Sequence, residues 1–162
     1  MFKFAVLTIS DSCFKEESKD KSGKLIIDIV KGIEAECVKY DIVPDEANLI
    51  KEKLLEYCDS LKVGVVFTTG GTGLGPRDVT PEATRDISEK TIPGISELVR
   101  LEGLKKTKNA VLSRGVSVMR GKTIIINLPG SPKGVEESLG VILDLLPHAL
   151  DMAKGKGHDS MS

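Results

Sequence analysis

The sequence predicts an α/β fold, a three-layer α/β/α domain around a mostly parallel, mixed central sheet of Rossmann-like type. The first observation is that short apolar runs alternate with longer segments whose apolar residues recur at helical spacing. Such alternation is typical of parallel strands joined by right-handed helical crossovers. The second observation is a pair of apolar runs on either side of Arg120-Gly121-Lys122. This pattern indicates a hairpin and therefore an antiparallel strand pair.

The first half of the chain predicts three strands and two helices. The segment 37–43, which includes Lys39 and Asp41, is predicted as the second strand, and the runs 4–9 and 63–68 are short and mostly apolar. Strands that are buried on both faces have this composition. One helix opens near Ser22, and another begins at Asp45, which is a candidate N-cap.

The second half predicts further helices and the hairpin. Thr80 and Pro81 favour a helix start, with threonine as the N-cap and proline at the first helical position. Pro93 ends or bends that region, and a further helix is expected at 95–105. The remaining predicted elements are strands at 116–119 and 123–128, a helix from Pro132 and a final turn from Pro147.

Size, charge and cysteine content limit the class of protein. The 162 residues fit a single domain, which we expect at 1–153, followed by a flexible polar tail at 154–162. A net charge of -1 argues against a nucleic-acid partner. No apolar run approaches the roughly 20 residues of a membrane helix. Three widely spaced cysteines indicate reduced thiols, so the predicted location is the cytoplasm.

A glycine cluster follows the third predicted strand and is the first candidate for ligand binding. Residues 68–78 hold four glycines within six positions, beside Thr72, Arg77 and Asp78. Glycines let a backbone approach a ligand closely and turn its N–H groups toward oxyanions. The segment is not a Walker A loop, because no Lys-Ser/Thr follows at the required spacing. It is not a dinucleotide fingerprint either, because Pro76 stands where the third glycine belongs.

A second loop follows the last predicted strand. Ser131 is expected to cap the final helix, with Pro132 at its first position. The start of a helix attracts anions, and Lys133 adds a full positive charge. The alternative interpretation is a capped helix with no ligand.

Acidic residues complete the pattern at the same edge of the sheet. Asp11, Asp45 and Asp78 follow strand ends, where open parallel sheets bind their ligands. Three carboxylates would repel a phosphate unless a cation lay between them, and Mg²⁺ prefers carboxylate and phosphate oxygens. The site is therefore interpreted as one for phosphate chemistry on a nucleotide. His148 and His158 are poor candidates for a catalytic base, given their places in the final helix and the tail.

With these residues in view, the chain resembles the MogA/MoaB family, the molybdopterin adenylyltransferases, over nearly its whole length. The matching motifs are Thr8-Ile9-Ser10-Asp11, Asp20-Lys21-Ser22-Gly23, Val43-Pro44-Asp45-Glu46, Thr68-Thr69-Gly70-Gly71-Thr72-Gly73, the Pro76–Thr84 segment, Leu112-Ser113-Arg114 and Leu128-Pro129-Gly130-Ser131-Pro132-Lys133-Gly134.

The resemblance implies transfer of AMP from ATP to the terminal phosphate of molybdopterin, with Mg²⁺ and with Asp45 and Asp78 as the functional acids. That phosphate is already ionised, so the protein needs to supply alignment and charge neutralisation more than a base. Our hypothesis is that Asp45 and Asp78 position Mg²⁺. The expected substrate- and nucleotide-binding residues are Ser10, Asp11, Ser22, Gly23, Thr69, Gly70, Gly71, Thr72, Gly73, Arg77, Pro129, Gly130, Ser131 and Lys133.

The resemblance leaves other interpretations open. The chain could be a carrier or scaffold that binds molybdopterin without catalysis, or a related domain of molybdate-insertion or nucleotide-processing proteins. The family also implies a homotrimer or hexamer, and contact with a molybdate-insertion protein. Exposed apolar residues such as Ile92 and Ile95 are expected at an interface between subunits.

Overall fold

The structure, a computed structural model, describes residues 1–156 and contains a single six-stranded mixed sheet in that range. The strands are β1 (Phe2–Ile9), β2 (Ala35–Val43), β3 (Val65–Thr69), β4 (Lys90–Thr91), β5 (Ser117–Arg120) and β6 (Thr123–Leu128). Their order across the sheet is β2-β1-β3-β6-β5-β4. The first four strands in that order are parallel, whereas β5 and β4 are antiparallel to their neighbours.

Helices cover both faces of this sheet. They are α1 (Asp11–Phe14), α2 (Lys21–Val30), α3 (Ala47–Leu55), α4 (Thr80–Asp86), α5 (Pro93–Leu104), α6 (Pro132–Ile142) and α7 (Leu146–Ala153). Side chains of α2, α5, α6 and α7 pack on one face, and those of α3, α4 and the π-helical turn Glu56–Ser60 pack on the other. The predicted three-layer α/β/α architecture is confirmed.

Alternation along the strands divides the core into two clusters. In β1, Phe4 and Val6 face one helical layer while Ala5 and Leu7 face the other, and all four are fully buried. Burying a side chain of the size of Phe4, Val6 or Leu7 contributes about 1.5–3 kcal/mol. The continuous apolar runs in the sequence therefore follow from helices on both faces.

Several predicted boundaries differ from those observed. The second strand begins at Ala35 instead of residue 37, and the third starts at Val65, two residues late. Pro93 begins α5 instead of ending the region before it, since proline is tolerated in a first helical turn. The two-residue strand β4 and the four-residue helix α1 are too short to leave a periodic pattern.

Two predicted N-caps are wrong. Val79 holds the N-cap position of α4, and Thr80 is the first helical residue, with its hydroxyl donating to Gly70 O at 2.9 Å. Glu46 holds the N-cap position of α3, and Asp45 instead accepts a hydrogen bond from a backbone amide in another loop. Both side chains therefore serve contacts between loops.

Other predictions at the surface have mixed outcomes. Ile95 was expected to be exposed, and this is wrong, because it packs in the core at 8% exposure. The hairpin at Gly121 is confirmed, with φ of +57° at the turn. Within residues 1–156, none of the helices combines the length and apolarity that crossing a bilayer requires. The expected boundary at 153 stays a prediction, and His158 lies outside the described residues.

Candidate active site

The loops after β1, β2, β3 and β6 meet at one edge of the sheet, where they line a polar cleft of about 370 Å³. This arrangement follows from parallel pairing, which places the carboxyl ends of these strands side by side. Eight of the predicted site residues line the cleft: Ser10, Ser22, Asp45, Thr69, Gly70, Gly71, Asp78 and Gly130.

The glycine loop turns sharply as it leaves β3. Gly70 has φ of +100° and Gly71 has φ of +67°, a region that side chains with a Cβ rarely adopt. A Cβ at Gly70 would collide with the carbonyl oxygen of Ile9, and a Cβ at Gly71 would collide with the hydroxyl of Thr80. The packing of the loop therefore requires glycine at both positions, whether or not a ligand is bound.

The two loops of the cleft are tied to each other by hydroxyl groups. Thr69 Oγ1 donates to Pro129 O at 2.6 Å, and Ser22 Oγ donates to Gly130 O at 2.7 Å. Because these protons are used within the protein, each hydroxyl can offer a ligand only its acceptor lone pairs. The structure therefore gives Thr69 and Ser22 a part in holding the loops together.

The ends of β1 and β2 are joined by a reciprocal pair of hydrogen bonds. Asp45 Oδ2 accepts from Asp11 N at 2.9 Å, and Asp11 Oδ1 accepts from Asp45 N at 3.0 Å. Arg77 also forms a fork on Asp11, with N···O distances of 3.1 and 2.9 Å. The charges of Asp11 and Arg77 therefore neutralise each other. Neither of the two residues lines the cleft.

The carboxylates differ in their electrostatic surroundings. The hydrogen bonds from Arg77 hold the pKa of Asp11 below its ordinary value. Burial raises the pKa of Asp45, and the charges of Asp11 and Asp78 add to this increase. Asp78 also lines the cleft, as Asp20 does, and its Oδ2 accepts from Gly75 N at 2.8 Å. A half-buried acid whose charge is further disfavoured by neighbouring carboxylates is a favourable place for a cation.

The donor set is consistent with Mg²⁺ held jointly by protein and phosphate. Within residues 1–156, no three His, Cys, Asp or Glu side chains are grouped to hold a metal by themselves. Mg²⁺ is commonly bound by one or two carboxylates together with water and substrate phosphates. Asp45 and Asp78 fit that pattern, because both line the cleft and the charge of Asp78 reaches Asp45.

A second cavity, also of about 370 Å³, lies on the other side of the Pro129–Gly134 loop. It is enclosed by α5, the 3₁₀ segment Lys108–Leu112 and α6. Pro129, Ser131 and Lys133 line this cavity and do not line the polar cleft. The loop predicted to form part of one site is therefore the wall between two.

Other predicted binding residues are held in capping or packing roles. Ser131 Oγ accepts from Gly134 N at 3.1 Å, which confirms it as the N-cap of α6. Gly23 N is bonded to Asp20 Oδ1 at 2.9 Å, and a Cβ at Gly23 would collide with Asp20 and Thr8. Gly23, Thr72 and Gly73 line neither the polar cleft nor the second cavity.

Comparison with known proteins decides the family. The sequence model of the protein family described as a probable molybdopterin binding domain matches residues 5–148 of this chain. The chain belongs to that family. It is 40% identical over 152 residues to the molybdopterin adenylyltransferase of Helicobacter pylori strain J99, covering 93% of this chain and 86% of that protein.

Further relatives are found among solved structures and among longer proteins. The crystal structure of the molybdopterin biosynthesis enzyme MoaB from Thermus thermophilus matches at a TM-score of 0.91 and 48% identity, covering 96% of this chain and 98% of that one. The molybdenum cofactor synthesis protein cinnamon of Drosophila melanogaster is 47% identical over 150 residues. The match covers 92% of this chain but 25% of the Drosophila protein.

Sequence reasoning missed several residues of this molybdopterin-binding domain. Cys13 of α1, Lys19 of the polar stretch after it, and Lys21, known from the sequence only as part of a motif and now the first residue of α2, all line the polar cleft. Arg114, known from the sequence only as part of a motif, donates to two carbonyls of the glycine loop. No local pattern reveals such contacts. His148 is exposed on α7 and lines neither cavity.

Proposed function

We propose that this chain is a molybdopterin adenylyltransferase, which transfers AMP from ATP to the terminal phosphate of molybdopterin in molybdenum cofactor biosynthesis. The observation that carries the proposal is a polar cleft whose acids include Asp45 and Asp78, separated by a single loop from a second cavity. Two adjacent cavities suit a reaction that joins two substrates. Relatives that share 40% of their residues over most of this chain are named for this activity.

We assign ATP to the polar cleft. Asp45 and Asp78 would hold Mg²⁺ there, which when bound neutralises charge on the triphosphate. Lys19 and Lys21 also line the cleft and supply positive charge for phosphate oxygens. The sharp turn at Gly70 and Gly71 lets the backbone come close to those oxygens.

We assign molybdopterin to the second cavity. Its wall combines apolar groups such as Val99 and Val141 with polar and cationic groups such as Lys106 and Lys133. A flat, polar pterin ring with a terminal phosphate requires that combination of apolar contact and positive charge. Lys133, at the start of α6, lies on the wall that the two cavities share.

The proposed reaction needs no general base. An ionised oxygen of the molybdopterin phosphate attacks the α-phosphorus of ATP, and the bond between that phosphorus and the pyrophosphate oxygen breaks. Among residues 1–156, those that line the cleft are mainly acids, lysines, hydroxyl-bearing residues and glycines, and none is a histidine. The protein's contribution is to hold the two phosphates in line and to balance their charge.

The test is a transfer assay with purified protein, molybdopterin, ATP and Mg²⁺, in which adenylylated molybdopterin is followed by mass spectrometry. We expect product that forms only with Mg²⁺ and that disappears when the metal is chelated. Tight binding of molybdopterin without product would contradict the enzyme and favour the carrier. If no molybdopterin is bound, the assignment of the second cavity is wrong as well.

We also propose that the chain acts in the cytoplasm as a homotrimer or hexamer and passes its product to a molybdate-insertion protein. The three cysteines are unpaired, as expected in a reducing compartment. Four exposed apolar side chains on α5 and the adjoining 3₁₀ segment offer a surface for subunit contact: Leu101, Leu104, Val111 and Leu112. A monomer mass by light scattering would reject the trimer.

A further inference from the structure

Arg114 connects the segment before β5 to the glycine loop at three points. Its Nε donates to Gly73 O at 2.8 Å, and its Nη2 donates to Asp78 O at 2.8 Å. Its backbone N–H donates to Thr72 O at 2.9 Å. A single residue therefore fixes both ends of the loop 72–78, which contains no helix or strand.

The guanidinium of Arg114 is itself held in place by an acid. Its Nη1 forms an ion pair with Glu82 in the first turn of α4, and this pairing holds the pKa of Glu82 below its ordinary range. Arginine offers several N–H donors in one rigid plane, so it can bond to two carbonyls and a carboxylate at once. A lysine ammonium has no such fork.

The loop that Arg114 holds determines where the carboxylate of Asp78 points. Within the loop, Asp78 Oδ2 is bonded to Gly75 N, and a Cβ at Gly73 or Gly75 would lie 3.0 or 2.9 Å from the same oxygen. This tight packing means that a shift of the loop carries the carboxylate with it. Arg114 lines neither cavity. It therefore affects Asp78 through the loop that it holds, without contacting a ligand.

The segment around Arg114 also borders the second cavity. Ser113 lines that cavity, and Arg100 donates to the carbonyls of Ser113 and Gly115 at 3.3 and 2.9 Å. The segment 113–115 is therefore fixed to the second cavity on one side and to the acid-bearing loop on the other.

We propose that Arg114 is a positioning residue for the proposed transfer reaction, holding Asp78 in register with the second cavity. This inference rests on the proposed function. Its chemical role is to keep the metal-binding carboxylate and the two reacting phosphates at a fixed separation. Misplacement of a reacting group by about 1 Å typically costs about a hundredfold in rate.

The test compares Arg114→Lys with Arg120→Lys. Arg120 is a matched control, because it makes a similar fork on Asp59 and donates to Ile87 O at 3.0 Å. It lies at the start of the β5–β6 hairpin, on the edge of the sheet opposite the cleft. Both variants are expected to lose some thermal stability. For Arg114→Lys alone, we expect kcat to fall ~10- to 100-fold and half-maximal rate to need more Mg²⁺, with KM for molybdopterin little changed.

Glu82→Gln provides a second variant that keeps the arginine and removes the charge that orients it. For Glu82→Gln, we expect a smaller fall in kcat than for Arg114→Lys. The Mg²⁺ concentration needed for half-maximal rate should increase, as in Arg114→Lys. Equal kcat and equal Mg²⁺ requirement in Arg114→Lys and Arg120→Lys would overturn the inference while leaving the proposed function intact.

ATP binding by calorimetry, with and without Mg²⁺, separates the two proposals. A wild-type protein that binds ATP in a Mg²⁺-dependent way but transfers no AMP would reject the proposed function. In that case, only the part of the inference that concerns Mg²⁺, namely that Arg114 holds Asp78 in place for the ion, can stand, and it does so only if Arg114→Lys weakens the Mg²⁺ dependence of binding and Arg120→Lys does not. A wild-type protein without Mg²⁺-dependent ATP binding rejects both proposals.

Discussion

Replacing Asp45 or Asp78 by asparagine is expected to lower the rate of AMP transfer by about a hundredfold or more, because each change removes a charge from the pair proposed to bind Mg²⁺. Both carboxylates line the polar cleft. Asparagine keeps the shape of the side chain and one acceptor oxygen, which can replace the bonds to Asp11 N and Gly75 N. Rates are measured in the transfer assay at saturating Mg²⁺.

Stability should respond differently from activity at Asp45. Burial raises its folded-state pKa above the ordinary 3.8, so the ionised side chain costs stability at neutral pH. That cost falls as the pH drops through the raised pKa and is absent below about 3.8, where both the folded and unfolded forms are protonated. Asp45→Asn removes the cost, and its free energy of unfolding at pH 7 should equal or exceed that of the wild type.

Asp41→Asn is the matched control for these variants. Asp41 lies four residues before Asp45, within β2, and accepts a hydrogen bond from Tyr57 at 2.6 Å, away from the cleft. We expect its transfer rate to match the wild type. If folded Asp45→Asn and Asp78→Asn also turn over at the wild-type rate, the two acids are not the metal ligands of this reaction.

Gly70→Ala is expected to cost about 3 kcal/mol of stability. The change imposes a left-handed strain of about 1–2 kcal/mol and a steric clash of similar size. The backbone oxygen of Ile9 blocks the new Cβ, and it cannot move without displacing the end of β1. Denaturant unfolding of the purified variant measures this loss.

Gly121→Ala separates the strain from the clash. Gly121 also has a positive φ, +57°, but a Cβ there meets nothing within 4 Å. We expect a cost of about 1 kcal/mol and an unchanged transfer rate, because this turn lies at the opposite edge of the sheet. If the two variants lost the same stability, the clash between the new Cβ at position 70 and the carbonyl oxygen of Ile9 would contribute nothing to the loss.

The fold could be predicted because its signals are local. The apolar run of β6 was placed at its observed bounds, and the cap at Ser131 was expected from sequence. Thr80 and Asp45 were wrongly predicted as N-caps because threonine and aspartate favour that position. In the structure, their side chains instead form hydrogen bonds with residues of other loops. Local propensity gave way to contacts between loops.

The sequence by itself determined the strand and helix pattern, and with it the edge of the sheet at which Asp45, Asp78 and the glycine loop meet. Parallel pairing makes that edge a consequence of chain order. Only the tertiary structure decided which side chains remain available to a ligand. Ser22 bonds to a carbonyl 108 positions away, and Arg77 reaches Asp11 across 66 positions. Such pairings depend on where side chains point after the layers pack, and no periodicity along the chain records that direction.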